Sequence, residues 1–124
     1  MIILPPELRE QLRLNGLNPG ADHVPVVKLF NPLGPATWLV CEIESDGDTL
    51  YGLADLGFGC PELGSFSLAE ITSVRLPFGM GIERDILFEG AFPISVYAEA
   101  ARLAGSITES ERLLRQAAQS RESR

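Results

Sequence analysis

The strongest constraint on the fold is a short polar turn between two runs of strand-forming residues. The first run, ATWLVCEIES, and the second, TLYGLADL, flank Asp46 and Gly47 in the segment SDGDT. β-Branched and aromatic residues favour strands, and an Asp-Gly pair adopts the positive φ angles of a hairpin turn at little cost. The sequence therefore predicts an antiparallel hairpin from Thr37 to Leu56, at the centre of a sheet.

Alternation of side chains divides the first strand of this hairpin between two faces. A period of two residues places Trp38, Val40 and Glu42 on one face. The residues predicted for the opposite face are Leu39, Cys41 and Ile43.

Other segments predict the elements around the hairpin. PPELREQLRLNG predicts a short helix that ends at Gly16 as a left-handed C-cap. Further strands are predicted in VPVVKLF, GSFSL and IERDILFEG. Ser67 and Glu70 have the spacing of a capping box that opens a short helix at Leu68, and FPISVYAEAARLAG predicts the main helix, which ends before Gly105.

Together these elements predict an α+β fold, with a mainly antiparallel sheet of about four or five strands. A short N-terminal helix and one main C-terminal helix pack on the sheet. The length of 124 residues fits one domain. We assign residues 1–105 to this domain and residues 106–124 to a helical tail with a partly frayed end and four arginines: Arg112, Arg115, Arg121 and Arg124.

Charge and hydropathy exclude several classes of protein. The net charge of −7 and the isoelectric point near 4.6 oppose strong direct binding of nucleic acid, which requires clustered Lys and Arg. The N-terminal MIILPPELREQL lacks the basic and long apolar regions of a secretion signal. No stretch reaches the roughly eighteen apolar residues of a membrane span, so we expect a cytoplasmic protein with no membrane partner.

The sequence offers little for metal, cofactor or nucleophile chemistry. Cys41 and Cys60 are too far apart for a CxxC pair, and His23 is the single histidine. No G-x-S-x-G, HExxH or Walker segment is present. We therefore predict no metal, no cofactor and a non-enzymatic role, while catalysis by residues distant in sequence stays open.

Acidic residues around the hairpin turn form the first candidate binding surface. Glu42, Glu44, Asp46 and Asp48 could together offer negative charge to a basic partner. The alternative is an ordinary solvated acidic face, since exposed carboxylates are common.

The glycine-rich segment DLGFGCPELG, residues 55–64, is the second candidate. Its functional interpretation is a pocket built from Trp38, Asp55, Cys60 and Glu62. The alternative is a tight turn between strands, with Trp38 in the core. The segment lacks the Gly-Lys-Ser/Thr ending of a phosphate loop.

Five segments resemble a bacterial family of unknown function, the DUF2958 family: LPPELREQL, PVVKLFNP, ATWLVCEIE, GDTLYGLADLGFGCPELGSFSLAEI and IERDILF. The resemblance extends from about Leu4 to Leu103. Members of that family are frequently encoded on plasmids and integrative conjugative elements, sometimes near anti-restriction genes. The resemblance implies an accessory role on a mobile element and supplies no catalytic residue.

We therefore expect a small acidic, non-enzymatic accessory protein of a mobile genetic element that acts through protein-protein contacts. An anti-defence role, either anti-restriction or anti-CRISPR, is one form of this function. The expected partner is a protein of the basic, nucleic-acid-binding class, and a homodimer is left open. The alternative function is a small-ligand-binding or hydrolytic domain with its pocket around the 55–64 loop.

Overall fold

One antiparallel sheet organises the protein, in a computed structural model that describes residues 2–122 apart from the side chain of Glu122. The strands are β1 (Val27–Phe30), β2 (Thr37–Ile43), β3 (Thr49–Asp55), β4 (Glu62–Ser67) and β5 (Glu83–Arg84). They lie in the order β4-β3-β2-β1-β5, with antiparallel pairing throughout. The predicted hairpin and the predicted α+β fold are both confirmed.

Helices flank this sheet before, within and after the run of strands. They are α1 (Pro6–Gly16), α2 (Leu68–Ser73), α3 (Ile94–Ala104) and α4 (Glu111–Glu122), with a 3-10 turn at Pro77–Gly79. The Ser67 hydroxyl accepts a hydrogen bond from the Glu70 backbone N–H, which confirms the predicted cap of α2. Gly105 ends α3 with φ of 82°, also as predicted. Within the described residues, no helix is both long enough and apolar enough to cross a membrane.

The sheet is covered on both faces by separate apolar clusters. Trp38 and Val40 pack in one cluster with Leu12 of α1, whereas Leu39 packs in the other with Leu114 of α4. Because neighbouring residues of a strand face opposite ways, the two clusters lie on opposite sides of the sheet. One layer contains α1 and α2, and the other contains α3 and α4.

A β-bulge in β2 overturns the predicted alternation beyond Val40. Val40 pairs with Gly52 and Glu42 pairs with Tyr51, so Cys41 is an extra residue in the ladder. An extra residue shifts the side chains that follow it to the other face. The bulge therefore exchanges the predicted faces of the last two residues of β2.

The packing of β2 shows this exchange directly. Ile43 packs in the cluster of Val40, on the α1 side. Cys41 lies in the cluster of α3, and its thiol contacts the His23 carbonyl at 3.7 Å. Glu42 also approaches His23, so it faces the same side as Cys41.

Gly16 corrects the predicted end of α1. The C-cap is Leu17, in a right-handed conformation, so Gly16 is not a left-handed cap. A Cβ atom on Gly16 would lie 2.4 Å from the Ile43 carbonyl oxygen. Glycine is needed here because α1 approaches the backbone of β2 closely.

The predicted strand in residues 82–90 is much shorter in the structure. Only Glu83 and Arg84 pair with β1. Asp85 then starts a turn, in which its side chain accepts from the Leu87 N–H and its carbonyl accepts from the Phe88 N–H. An Asp side chain that bonds to the backbone two residues later favours a turn over a ladder.

The predicted C-terminal tail contains a helix that packs against α3. Leu114 and Ala117 of α4 are buried in the cluster that also contains Tyr97 and Ala101 of α3. The predicted frayed end falls on residues 123–124, which include the last of the four arginines and lie outside the described residues.

Candidate functional site

The carboxylate of Asp46 stabilises the hairpin turn. Its Oδ1 accepts hydrogen bonds from the backbone N–H groups of Asp48 and Thr49, both at 2.8 Å, and its Oδ2 accepts from the Thr49 hydroxyl at 2.6 Å. These bonds, the Thr49 side chain first, lower the pKa of Asp46. Asp46 is therefore a structural part of the turn.

The carboxylate of Asp48 joins the hairpin to the start of α2. It accepts from the Ser67 hydroxyl at 2.8 Å and from the Ala69 backbone N–H at 2.7 Å. Charge reversal at Asp46 or Asp48 would thus disturb the fold, so only Glu44, which is exposed, offers a simple test of the predicted acidic surface.

Glu42 differs from these residues because it is buried. Its side chain is 7% exposed, and Oε2 has no hydrogen-bond partner among the described residues. Nε2 of His23 lies 3.8 Å from this oxygen. Burial raises the pKa of the Glu42 carboxyl, against the opposing effects of His23 and the Gly20 backbone amide.

A pocket of about 790 Å³ lies beside Glu42 and is lined by the end of α1, by the loop that follows α1 and by the sheet. Its floor crosses three strands, because Glu42 pairs with Tyr51 and Tyr51 pairs with Ser65. Its other lining residues are Arg13, Gly16, Leu17, Pro19, Gly20, Ile43, Glu44 and Ser45. We call this the Glu42 pocket.

The 55–64 segment contains the turn between β3 and β4, and the side chain of Asp55 stabilises this turn. Asp55 is buried, with one carboxylate oxygen accepting from the Gly57 N–H at 2.9 Å and the other from the Ile107 N–H at 3.0 Å. Gly57 and Gly59 have φ angles of 92° and 80°, which glycine adopts readily. The carboxylate of Asp55 thus ties this turn to the segment before α4.

The structure does not assemble the four residues of the predicted 55–64 pocket. Asp55 is engaged in the turn, and Cys60 is exposed with its thiol 3.7 Å from the Phe58 carbonyl. Trp38 and Glu62 do line one groove, of about 410 Å³. The other residues that line it are Ala54, Leu56, Leu63, Gly64, Ser65, Phe66, Ser67, Glu70, Ile71 and Val74.

This groove runs along β4, the strand at one edge of the sheet. Leu56 and Leu63 line it and are largely exposed. Phe58, in the turn between them, is 83% exposed. We call the outer edge of β4 with this groove and Phe58 the β4 surface.

The comparison of the chain with protein families matches residues 3–108 to the family described as "Protein of unknown function (DUF2958)". The chain belongs to this family. The match includes all five strands and α1 to α3 of the DUF2958 fold and ends before α4. No curated protein and no solved structure matches the chain.

Both candidate surfaces of this DUF2958 protein were only partly visible in its sequence. Glu42 was selected for its charge, but its burial follows from the bulge at Cys41, which no local pattern indicated. The β4 surface depends on strand order, which the sequence does not reveal. The one available signal was Phe58, a large apolar residue between two glycines in a turn.

Proposed function

We propose that this DUF2958 protein is a non-enzymatic accessory protein of a mobile genetic element that acts in the cytoplasm by binding another protein along the β4 surface. The observation that carries the proposal is an uncovered edge strand beside an apolar groove. The mobile-element setting rests on the resemblance to proteins encoded on plasmids and conjugative elements.

The edge of β4 supplies the backbone part of the contact. β4 pairs with β3 on one side only, so its outer N–H and C=O groups are available to another strand. Natural edge strands are commonly protected by Lys, Pro or short length. The six residues ELGSFS of β4 contain neither Lys nor Pro, so an extended segment of a partner can pair with them.

The groove beside β4 supplies a place for an apolar side chain. Trp38 and Ile71 are buried in its wall, and Leu56 is exposed beside them. Leu63 pairs with Leu53 of the other cluster, so it adds an exposed apolar side chain on the opposite face of β4. Exposed apolar residues that cluster around a groove mark sites of protein contact, whereas scattered ones need no explanation. Phe58 extends the apolar surface beyond the groove.

The charge of the β4 surface favours a basic partner. Glu62 and Glu70 line the groove, and the whole chain carries a net charge of −7. The complementary segment is extended, with an apolar residue flanked by Lys or Arg. Proteins that bind nucleic acid, which include restriction and CRISPR proteins, carry clustered Lys and Arg, so an anti-defence role is the form of this function that we propose.

The experiment is affinity capture from a nuclease-treated bacterial lysate with identification by mass spectrometry. We compare the tagged wild type with Leu63→Lys, which places a positive charge on the β4 surface. The matched control is Leu87→Lys. Leu87 is also an exposed leucine, but it follows β5 at the other edge of the sheet. We expect one basic protein to be captured by the wild type and the control and lost with Leu63→Lys.

Unchanged capture by a folded Leu63→Lys protein would contradict the β4 surface as the contact. Light scattering of the purified protein separates a foreign partner from a second copy. A dimer that becomes monomeric in Leu63→Lys would mean that β4 pairs with β4 of another molecule, and the proposed foreign partner would then be wrong.

A further inference from the structure

A buried carboxylate oxygen without a partner is unusual in a folded protein. Most buried side-chain oxygens accept at least one hydrogen bond, because an unpaired one costs free energy. Asp55, the other acidic residue buried within the described part of the chain, has both carboxylate oxygens hydrogen-bonded. Glu42 lies in the wall of a pocket, and its Oε2 is unpaired among the described residues.

His23 does not supply the missing hydrogen bond. Its Nε2 is 3.8 Å from Oε2 of Glu42, which is beyond hydrogen-bond distance. The same nitrogen lies 3.0 Å from the Asn18 carbonyl oxygen, so an N–H group at Nε2 donates its hydrogen bond to that oxygen. Among the described residues, Oε2 of Glu42 is therefore left without a donor.

The charges around the Glu42 pocket are predominantly negative. Glu42 and Glu44 both line it. Arg13 also lines it, but its guanidinium makes two hydrogen bonds with Glu10, at 2.6 and 2.8 Å. A positively charged donor is the chemical group that suits this pocket.

We propose that the Glu42 pocket binds a guanidinium group, with Glu42 as the residue that accepts its N–H donor. A guanidinium is planar and weakly hydrated, so it can stack on the ring of Tyr51 while it donates to carboxylates at its edge. Glu44 at the rim receives a second N–H group. Because Oε2 is enclosed in the structure, contact requires the Glu42 side chain to rotate into the pocket.

The guanidinium can belong to a free small molecule or to an arginine side chain. Both sources share the chemistry that the pocket recognises. The pocket extends to β4 at Ser65, which also lines the groove of the β4 surface, so an arginine of a partner bound there would lie close to the pocket. The proposal is nevertheless independent of the β4 surface, since it uses different side chains.

The test is a titration of ¹⁵N-labelled protein followed by NMR, with butylguanidinium as the probe. We expect saturable shifts of the backbone amides of Gly20, Ile43 and Tyr51. The neutral butylurea, which has nearly the same shape, should bind at least about tenfold more weakly, since it lacks the charge that strengthens the hydrogen bond. A capped arginine tripeptide tests the protein source: binding at the same amides assigns the pocket to arginine side chains, and its failure beside bound butylguanidinium assigns it to a free ligand.

Two variants test whether Glu42 binds the guanidinium group. Glu42→Gln keeps the size of the side chain and should weaken butylguanidinium at least about tenfold. Glu62→Gln, in the groove of the β4 surface, should leave it unchanged. Equal binding by wild type and Glu42→Gln, or the absence of saturable shifts in the wild type, would overturn the proposal.

A second test compares the affinities of the two probes for the wild type, so a folding defect in a variant does not affect it. Equal affinity for butylguanidinium and butylurea would also overturn the proposal. Leu63→Lys separates the two surfaces, because it should abolish partner capture and leave the butylguanidinium shifts intact.

Discussion

Glu42 and Asp46 are carboxylates of one hairpin whose ionisation affects stability in opposite directions. Burial raises the pKa of Glu42 above its ordinary value of 4.5, and Glu44 adds to the shift while His23 and the Gly20 amide oppose it. The folded protein therefore binds this proton more tightly than the unfolded chain does. Ionisation of Glu42 consequently lowers the free energy of unfolding as the pH rises from 4.5 through the folded pKa.

We expect Glu42→Gln to be more stable than the wild type at pH 7, by roughly 1 kcal/mol, since the amide removes a buried charge. Near pH 3, well below the ordinary pKa of 4.5, Glu42 is protonated in both states and the difference should disappear. Thermal unfolding followed by circular dichroism at both pH values measures this. A less stable Glu42→Gln at pH 7 would show that the carboxylate already has a stabilising partner in the free protein.

Asp46→Asn should change the stability at pH 7 in the opposite direction to Glu42→Gln. Hydrogen bonds from Thr49 and from the Asp48 backbone hold the pKa of Asp46 below its ordinary value of 3.8. Its contribution to stability is present above that value and is lost as the pH falls through the folded pKa. Asp46→Asn should therefore melt at a lower temperature than the wild type at pH 7, whereas the exposed Glu44→Gln should not.

At the scale of elements, local patterns predicted what each segment forms, and tertiary contacts decided the rest. The Asp46-Gly47 turn and the Ser67 cap of α2 were predictable because their hydrogen bonds lie within a few residues. The prediction that Gly16 is a left-handed cap was wrong because its role depends on the backbone of Ile43, which is distant in sequence. The same distinction explains the sites: the charge of Glu42 was visible in the sequence, and its burial was not.

Helix α4 tests whether the C-terminal segment belongs to the folded domain. Leu114 is 3% exposed and packs in the cluster with α3, whereas its neighbour Leu113 is only half-buried. We expect Leu114→Ala to lower the free energy of unfolding by about 3 kcal/mol and Leu113→Ala by clearly less. Urea unfolding measures both. Wild-type stability in Leu114→Ala would instead support the sequence-based division into a domain and an independent tail.

At the scale of the whole molecule, the layers of helices restrict where a partner strand can pair. Apolar clusters cover both faces of the sheet, so its free backbone lies at the two edges. One edge is the two-residue strand β5, which is too short to bind an extended segment well. The other is β4, with six residues, an apolar groove and acidic residues beside it.

Photo-crosslinking from two exposed phenylalanines tests whether a partner binds at the β4 surface. Phe58 belongs to the β4 surface, and Phe78 lies in the 3-10 turn outside it; they are 83% and 94% exposed. Each is replaced in turn by p-benzoyl-phenylalanine, and the protein is irradiated in a bacterial lysate. We expect a crosslinked protein from position 58 that disappears when Leu63→Lys is added, and none from position 78. Crosslinking from position 78 alone, or crosslinking from position 58 that persists with Leu63→Lys, would show that the partner does not bind at the β4 surface.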